Sequence, residues 1–258
     1  MPALIAGVIG TAGLATSGAI PGYAPVAAQT EVTVSYDDAV LAAENAAARL
    51  REAAAYTATV TGKTVAKKGF INYEQKIANT IIGRGGEYYA RSESSSLFVK
   101  VRHEAYLRSG KVAYRDDGGN IKAASVAEYA GVYGVIPGGG IDGHLISSDT
   151  IVAARYDGED NGLHVYRYEI DGERGSYALK KQMKEFGGLK DLPEFVAHSR
   201  LTLTLREDHT PVSLVTEERY TIAIGILGNL NCTQSLTCSF GYDPAPVPDE
   251  AAFAAAIG

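Results

Sequence analysis

The chain has 258 residues, 46% apolar and 21% charged, with a formal net charge of −6 and a pI near 5.4. That composition excludes wholesale disorder, a collagen-like repeat and a polytopic membrane protein, and the acidic balance excludes a general nucleic-acid binder, which needs a basic domain. The charge is unevenly spread: residues 31–60 sum to −3, residues 61–122 to +6 and residues 123–258 to −9.

No charged residue occurs before Glu31. Ala3–Ile20 is an apolar run, broken by Pro21 and Gly22. Val26-Ala27-Ala28 puts small residues at the −3 and −1 positions of a signal-peptidase site, with Gln29 as first mature residue. No basic n-region precedes the run. A retained anchor helix is the alternative, since about 20 apolar residues span a bilayer, although five glycines and a proline within Gly7–Gly22 make a weak helix. Either reading makes residues 1–28 a signal peptide or anchor. It leaves 29–258 as one exported domain in the periplasm, at the cell surface or outside the cell. No lipobox cysteine supports lipid attachment.

Ser35 caps a predicted helix that runs to about Ala55, with Asp37 and Asp38 in its first turn. Leu41, Ala47, Leu50 and Ala54 are read as one face. The pattern then changes to period two, predicting strands over Tyr56–Val65, Asn72–Ile82, Gly86–Glu93 and Leu97–Glu104. Tyr106–Arg108 and Lys111–Arg115 flank Ser109-Gly110, a hairpin signal. Ser125-Val-Ala-Glu128 is a capping box that opens a short helix carrying Tyr129, Val132 and Tyr133.

In the second half, Thr150–Tyr156 and Leu163–Ile170 predict a hairpin, and Tyr177–Phe186 a helix closed by Gly187-Gly188. Arg200–Arg206 alternates with Leu201, Leu203 and Leu205 facing in. Val212–Glu217, Arg219–Ile226 and Thr233–Tyr242 are the closing strands. Short strands joined by tight turns make an antiparallel meander, and the helices a parallel α/β fold needs between its strands are absent.

Three motif-like patterns lack their structural context. Gly62-Lys63-Thr64 imitates the end of a phosphate-binding loop, but Thr57 stands where its first glycine belongs. Gly138, Gly140 and Gly143 satisfy GxGxxG, but follow Pro137 rather than a strand. His103, His144, His164, His198 and His209 form no metal-ligand pair. No nucleophile signature is present, so the chain is read as non-enzymatic, with no cofactor and no metal. The paired carboxylates Asp116-Asp117 and Glu217-Glu218 are read as surface charge.

Cys232 and Cys238 are separated by five residues and suit a disulfide in an oxidising compartment; two thiols facing different ways are the alternative. The 16 tyrosines sit mostly in predicted strands. Tyrosine suits both a half-buried strand and the mouth of an apolar pocket. His164, Tyr166, Tyr168 and Ile170 share one face of their strand.

Leu97-Phe-Val-Lys-Val-Arg-His103 with Tyr106-Leu-Arg-Ser-Gly-Lys-Val-Ala-Tyr114, Leu201–Leu214, and Thr237–Pro248 resemble strand and hairpin segments of the LolA/LppX-like half-barrel family of periplasmic lipoprotein carriers and envelope lipoproteins. The likeness covers about Ser35 to Pro248 and departs from the lipoprotein branch in lacking the lipobox cysteine. It implies an α+β fold, with a curved antiparallel sheet (half-barrel) packed on an N-terminal helix and a short helical insertion. It also implies a non-enzymatic envelope protein that binds a lipid or other hydrophobic ligand in its cavity. An adhesion or interaction module with a packed core is the alternative. Leu41, Leu50, Val99, Tyr114, Tyr133, Tyr166, Tyr168 and Ile222 are then the expected lining. A lipid or acyl-chain ligand and a membrane surface are the partners implied. The basic stretch Lys63–Arg115 favours anionic heads.

Overall fold

The computed structural model describes residues 34–96, 100–133, 150–173, 198–224 and 228–258. In chain order these form α1 (Tyr36–Glu52), β1 (Ala55–Lys68), β2 (Ile71–Arg84), β3 (Glu87–Ser95), β4 (Lys100–Arg108), β5 (Lys111–Asp116), β6 (Lys122–Ser125) and α2 (Val126–Tyr133). They continue with β7 (Ile151–Asp160), β8 (Leu163–Ile170), β9 (His198–Leu205), β10 (Pro211–Ile224), β11 (Gly228–Gly241) and α3 (Glu250–Ile257).

The strands make one open, curved, antiparallel sheet in the order β6-β5-β4-β3-β2-β1-β11-β10-β9-β8-β7. It consists of two meanders joined where β11 pairs with β1, Val60 opposite Cys238. The closing strand thus lies at the centre and the edges are β6 and β7. The β4–β5 hairpin turns through Ser109 and Gly110, both at positive φ (51° and 74°), as a two-residue turn matched to strand twist requires.

Adjacent residues on a strand point to opposite faces, and paired residues share a face. Ile81 pairs with Ala58 and Ala90, and all three pack in or against one cluster with Ala39, Ala42, Ala43, Ala46 and Leu50 of α1. Their neighbours Ile82 and Tyr89 belong to a second cluster with Phe253 and Ile257 of α3. So α1 and α3 sit on opposite faces of the sheet. On β4 and β5, Ala105 and Val112 cluster with Tyr129 of α2. Ala105 pairs with Ala90, which puts α2 on the same face as α1.

Ser35 caps α1, its Oγ accepting from the Asp38 backbone N–H, and Asp37 and Asp38 occupy the first turn. The buried stripe is Ala39, Ala42, Ala43, Ala46, Ala47 and Leu50. Leu41 is 51% exposed. It is six residues from Ala47, about 240° around the axis, so the face expected from the sequence was mis-phased. The capping box of α2 is present in full: Glu128 accepts from the Ser125 N–H at 2.8 Å, and Ser125 Oγ accepts from the Glu128 N–H at 3.2 Å.

Other expectations need correction. The segments expected as two strands around Glu218 are one continuous strand, β10. Helix α3 had no counterpart in the sequence reading. Cys232 and Cys238 are both free and buried, six positions apart along β11. At about 3.3 Å per residue their Cα atoms lie roughly 20 Å apart, against a limit of about 7 Å for a bridge, so the expected disulfide cannot form in this strand. Residues 1–28, Val99, the predicted helix Tyr177–Phe186 and the glycines of GxGxxG lie outside the described residues. Among the described residues no helix is long and apolar enough to cross a membrane.

Candidate functional site

Of the residues expected to line a site, Leu50, Tyr166 and Tyr168 come together in the α1-covered cluster, with Leu201, Leu203 and Leu205. Tyr168 donates its hydroxyl to the Ala39 carbonyl at 2.8 Å, which pins α1 to β8. Tyr166 lies between Tyr156 and Tyr168, with ring centroids 5.1 and 6.5 Å away. Tyr114 belongs to the separate α2 cluster, edge-on to Tyr129 at 5.5 Å. Leu41 points away from the sheet. Ile222 lies in β10 and Tyr133 ends α2, and their side chains are outside the described set.

Beyond α1, the same face carries a feature the sequence reading missed. Gln75, Thr64, Gln234, Glu218 and Ser199 stand in register across β2, β1, β11, β10 and β9. Gln75, Thr64, Gln234 and Glu218 are all buried. Thr64 Oγ1 donates to Gln234 Oε1 at 2.9 Å, Gln234 Nε2 to Glu218 Oε2 at 3.4 Å, and Ser199 Oγ to Glu218 Oε1 at 3.2 Å. Neutral donors therefore converge on Glu218. Burial pushes its carboxyl up to about 7, because desolvation penalises the charged form. Gln75 Oε1 and Thr216 Oγ1 are buried without a hydrogen-bond partner among the described residues. The surface-charge reading of Glu218 is thus overturned: continuing β10 through it turns the side chain onto the helix face.

This polar row separates two apolar regions. On one side is the α1-covered core. On the other, one rung or about 7 Å further along the strands, Tyr73, Ala66, Cys232 and Tyr220 line up across β2, β1, β11 and β10. With Leu230 they form a cluster made of strand residues only. Gly62, the false phosphate-loop glycine, lies within β1. A Cβ there would run into the Ser235 carbonyl and the Leu236 backbone, so its role is close strand approach. An open depression of about 340 Å³ lies at this point on the opposite face of the sheet, lined by Thr61, Lys63, Lys76 and Ser235 among others; none of the expected lining residues whose side chains are described borders it.

The opposite face is locked by charge. Glu104, fully buried, accepts from Arg115 Nε at 2.8 Å and from Tyr89 Oη at 2.6 Å, and pairs with Arg102 at 2.9 Å. Burial alone would raise its carboxyl, but the hydrogen bonds from Arg115, Tyr89 and Arg102 outweigh that and hold it at about 2. Arg115 also reaches Asp249 at 2.6 Å, and Arg84 reaches Glu250 at 2.5 Å, tying down the start of α3. On the α1 face, His103 bridges Asp116 and Tyr129 at 2.7 and 2.6 Å, joining α2 to β4 and β5. Among the described residues, no group of three His, Cys, Asp or Glu side chains is arranged to hold a metal ion.

No family model and no curated protein matches the chain. Solved structures do. The chain is similar to LprF from Mycobacterium bovis at 14% identity and a TM-score of 0.40, with 82% of this chain and 95% of that one covered. It is similar to the lipoprotein LppX of Mycobacterium tuberculosis at 9% identity and 0.43, covering 83% and 98%. A LolA superfamily protein from Nitrosomonas europaea matches at 11% identity and 0.23, covering 82% and 96%. Two of the three bear the names, LppX and LolA, of the family that segments of the sequence resemble.

Proposed function

We propose that this chain is an exported cell-envelope protein that holds a lipid or other hydrophobic ligand on the helix face of its half-barrel and catalyses no reaction. The observation that supports this reading is the strand-only apolar cluster of Ala66, Tyr73, Tyr220, Leu230 and Cys232, set beside the buried polar row. Apolar lining with a few fixed polar groups is the general character of a small-ligand site. An acyl chain laid along the strands meets apolar side chains, then hydrogen-bonding groups about 7 Å on. The row holds a carboxyl and the Gln75 amide oxygen, which has no partner among the described residues, so it favours donor-bearing ligands over the anionic heads inferred from the basic stretch.

A second reading is an envelope interaction module with a solid core. The α1-covered region favours it, since Leu201, Leu203 and Leu205 and the helix alanines are buried against one another. A fluorescent fatty acid separates the two. The carrier reading expects saturable binding of the probe and its displacement by unlabelled fatty acid; absence of probe binding favours the packed module.

A further inference from the structure

The β1–β2 hairpin ends in a two-residue turn, Gly69-Phe70, between the paired Lys68 and Ile71. Gly69 takes positive φ (57°), as the first central residue of such a turn requires. Phe70 is 99% exposed, the most exposed of the large apolar side chains described. Lys67 and Lys68 precede the turn, both exposed and, as neighbours on a strand, directed to opposite faces of the hairpin. Residues 63–76 carry four lysines against Glu74, a local charge of +3 in a chain of −6.

The tip also projects. Pairing of β2 with β3 begins only at Lys76, so Ile71–Gln75 run past that neighbour. On the other side β11 continues past Lys67 through Leu230 and Asn229 to Gly228, paired with β10. Both hairpins therefore point from the same end of the sheet, and residues 220–242 contain no charged side chain. An exposed aromatic next to two cations, beside an uncharged hairpin, is the arrangement that meets an anionic bilayer. The ring enters the acyl boundary while lysines lie at the headgroups.

We infer that the tip of the β1–β2 hairpin is a membrane-docking point for anionic phospholipid bilayers, with Phe70 inserting and Lys67 and Lys68 engaging the headgroups. This does not depend on whether the sheet holds a ligand. It fixes the orientation of the protein, with the strand-only apolar cluster at the membrane-proximal end of the helix face.

The chain contains no tryptophan, so Phe70→Trp in the full chain supplies a single reporter. Vesicles of phosphatidylcholine, and of equal parts phosphatidylcholine and phosphatidylglycerol, are the probes. The expected result is a blue shift of Phe70→Trp emission with the mixed vesicles, reversed by salt. Each Lys→Glu change at Lys67 or Lys68 should weaken it by at least about fivefold. Val132→Trp, on an exposed face of α2, should not shift, which separates docking at the tip from any binding by the N-terminal apolar run. Unchanged Phe70→Trp emission, an equal shift with phosphatidylcholine alone, an equal shift at Val132→Trp, or insensitivity to both lysine changes would each overturn the inference.

Discussion

Glu218 is the residue whose placement has the clearest thermodynamic consequence. Its folded-state carboxyl titrates at about 7, raised by burial from the ordinary 4.5. A group whose pKa is raised on folding stabilises the fold when protonated. Its contribution is complete below about pH 4.5 and is lost as pH rises through 7. We expect Glu218→Gln, whose amide oxygen can accept from Gln234 Nε2 while its N–H donates to the Ser199 hydroxyl, to remove that loss. Melting temperatures measured across this range should fall with rising pH in the natural chain more steeply than in the variant, by the equivalent of a few kcal/mol. Parallel profiles would show that Glu218 does not carry the dependence. Glu104 behaves in the opposite sense: its depressed carboxyl contributes stability that is lost only as pH falls from about 4.5 toward 2.

Among the elements, α3 shows how a short helix is held by side-chain chemistry. It has no side-chain N-cap, and Asp249 at its start takes positive φ. An eight-residue helix is marginal alone, so tertiary contact sustains it. Phe253 is fully buried, edge-on to Tyr89 at 6.0 Å and 6.3 Å from Tyr106, with the Arg115 guanidinium 5.2 Å from its ring. Phe253→Ala should cost about 3–5 kcal/mol, read as a loss of denaturant midpoint. A cost below about 1 kcal/mol would show that α3 is not docked as described. The sequence contains the signals for α3 in Phe253 and Ile257 at i and i+4, but the proline-rich Asp243–Pro248 reads as the end of the fold. Elements with strong local signals were legible: the Ser35 cap, the Ser125–Glu128 box, the Ser109-Gly110 turn and the leucines of β9. The polar row was not. It is assembled from five strands, and only register brings Gln75 beside Thr64 and Glu218 beside Gln234. The disulfide expectation failed for a related reason. Sequence separation says that two cysteines are near along the chain, whereas an extended strand carries them roughly 20 Å apart.

For the whole molecule, joining two meanders through β1 and β11 puts the middle of the sheet where the chain begins and ends its β structure. The helix face then divides along the strands into a region closed by α1, a buried polar row and an apolar region of strand residues toward the hairpin tips. That order suits the proposed ligand, one with both apolar and hydrogen-bonding parts. Of the expected lining residues, Leu50, Tyr166 and Tyr168 serve the closed region, because alanines on α1 let the strands approach the helix. The most direct measurement is mass spectrometry of an organic extract of the purified protein. A co-purified acyl-chain or other apolar species in near-stoichiometric amount is expected. An extract with no such species, from protein that also fails to take up added fatty acid, would contradict the carrier reading.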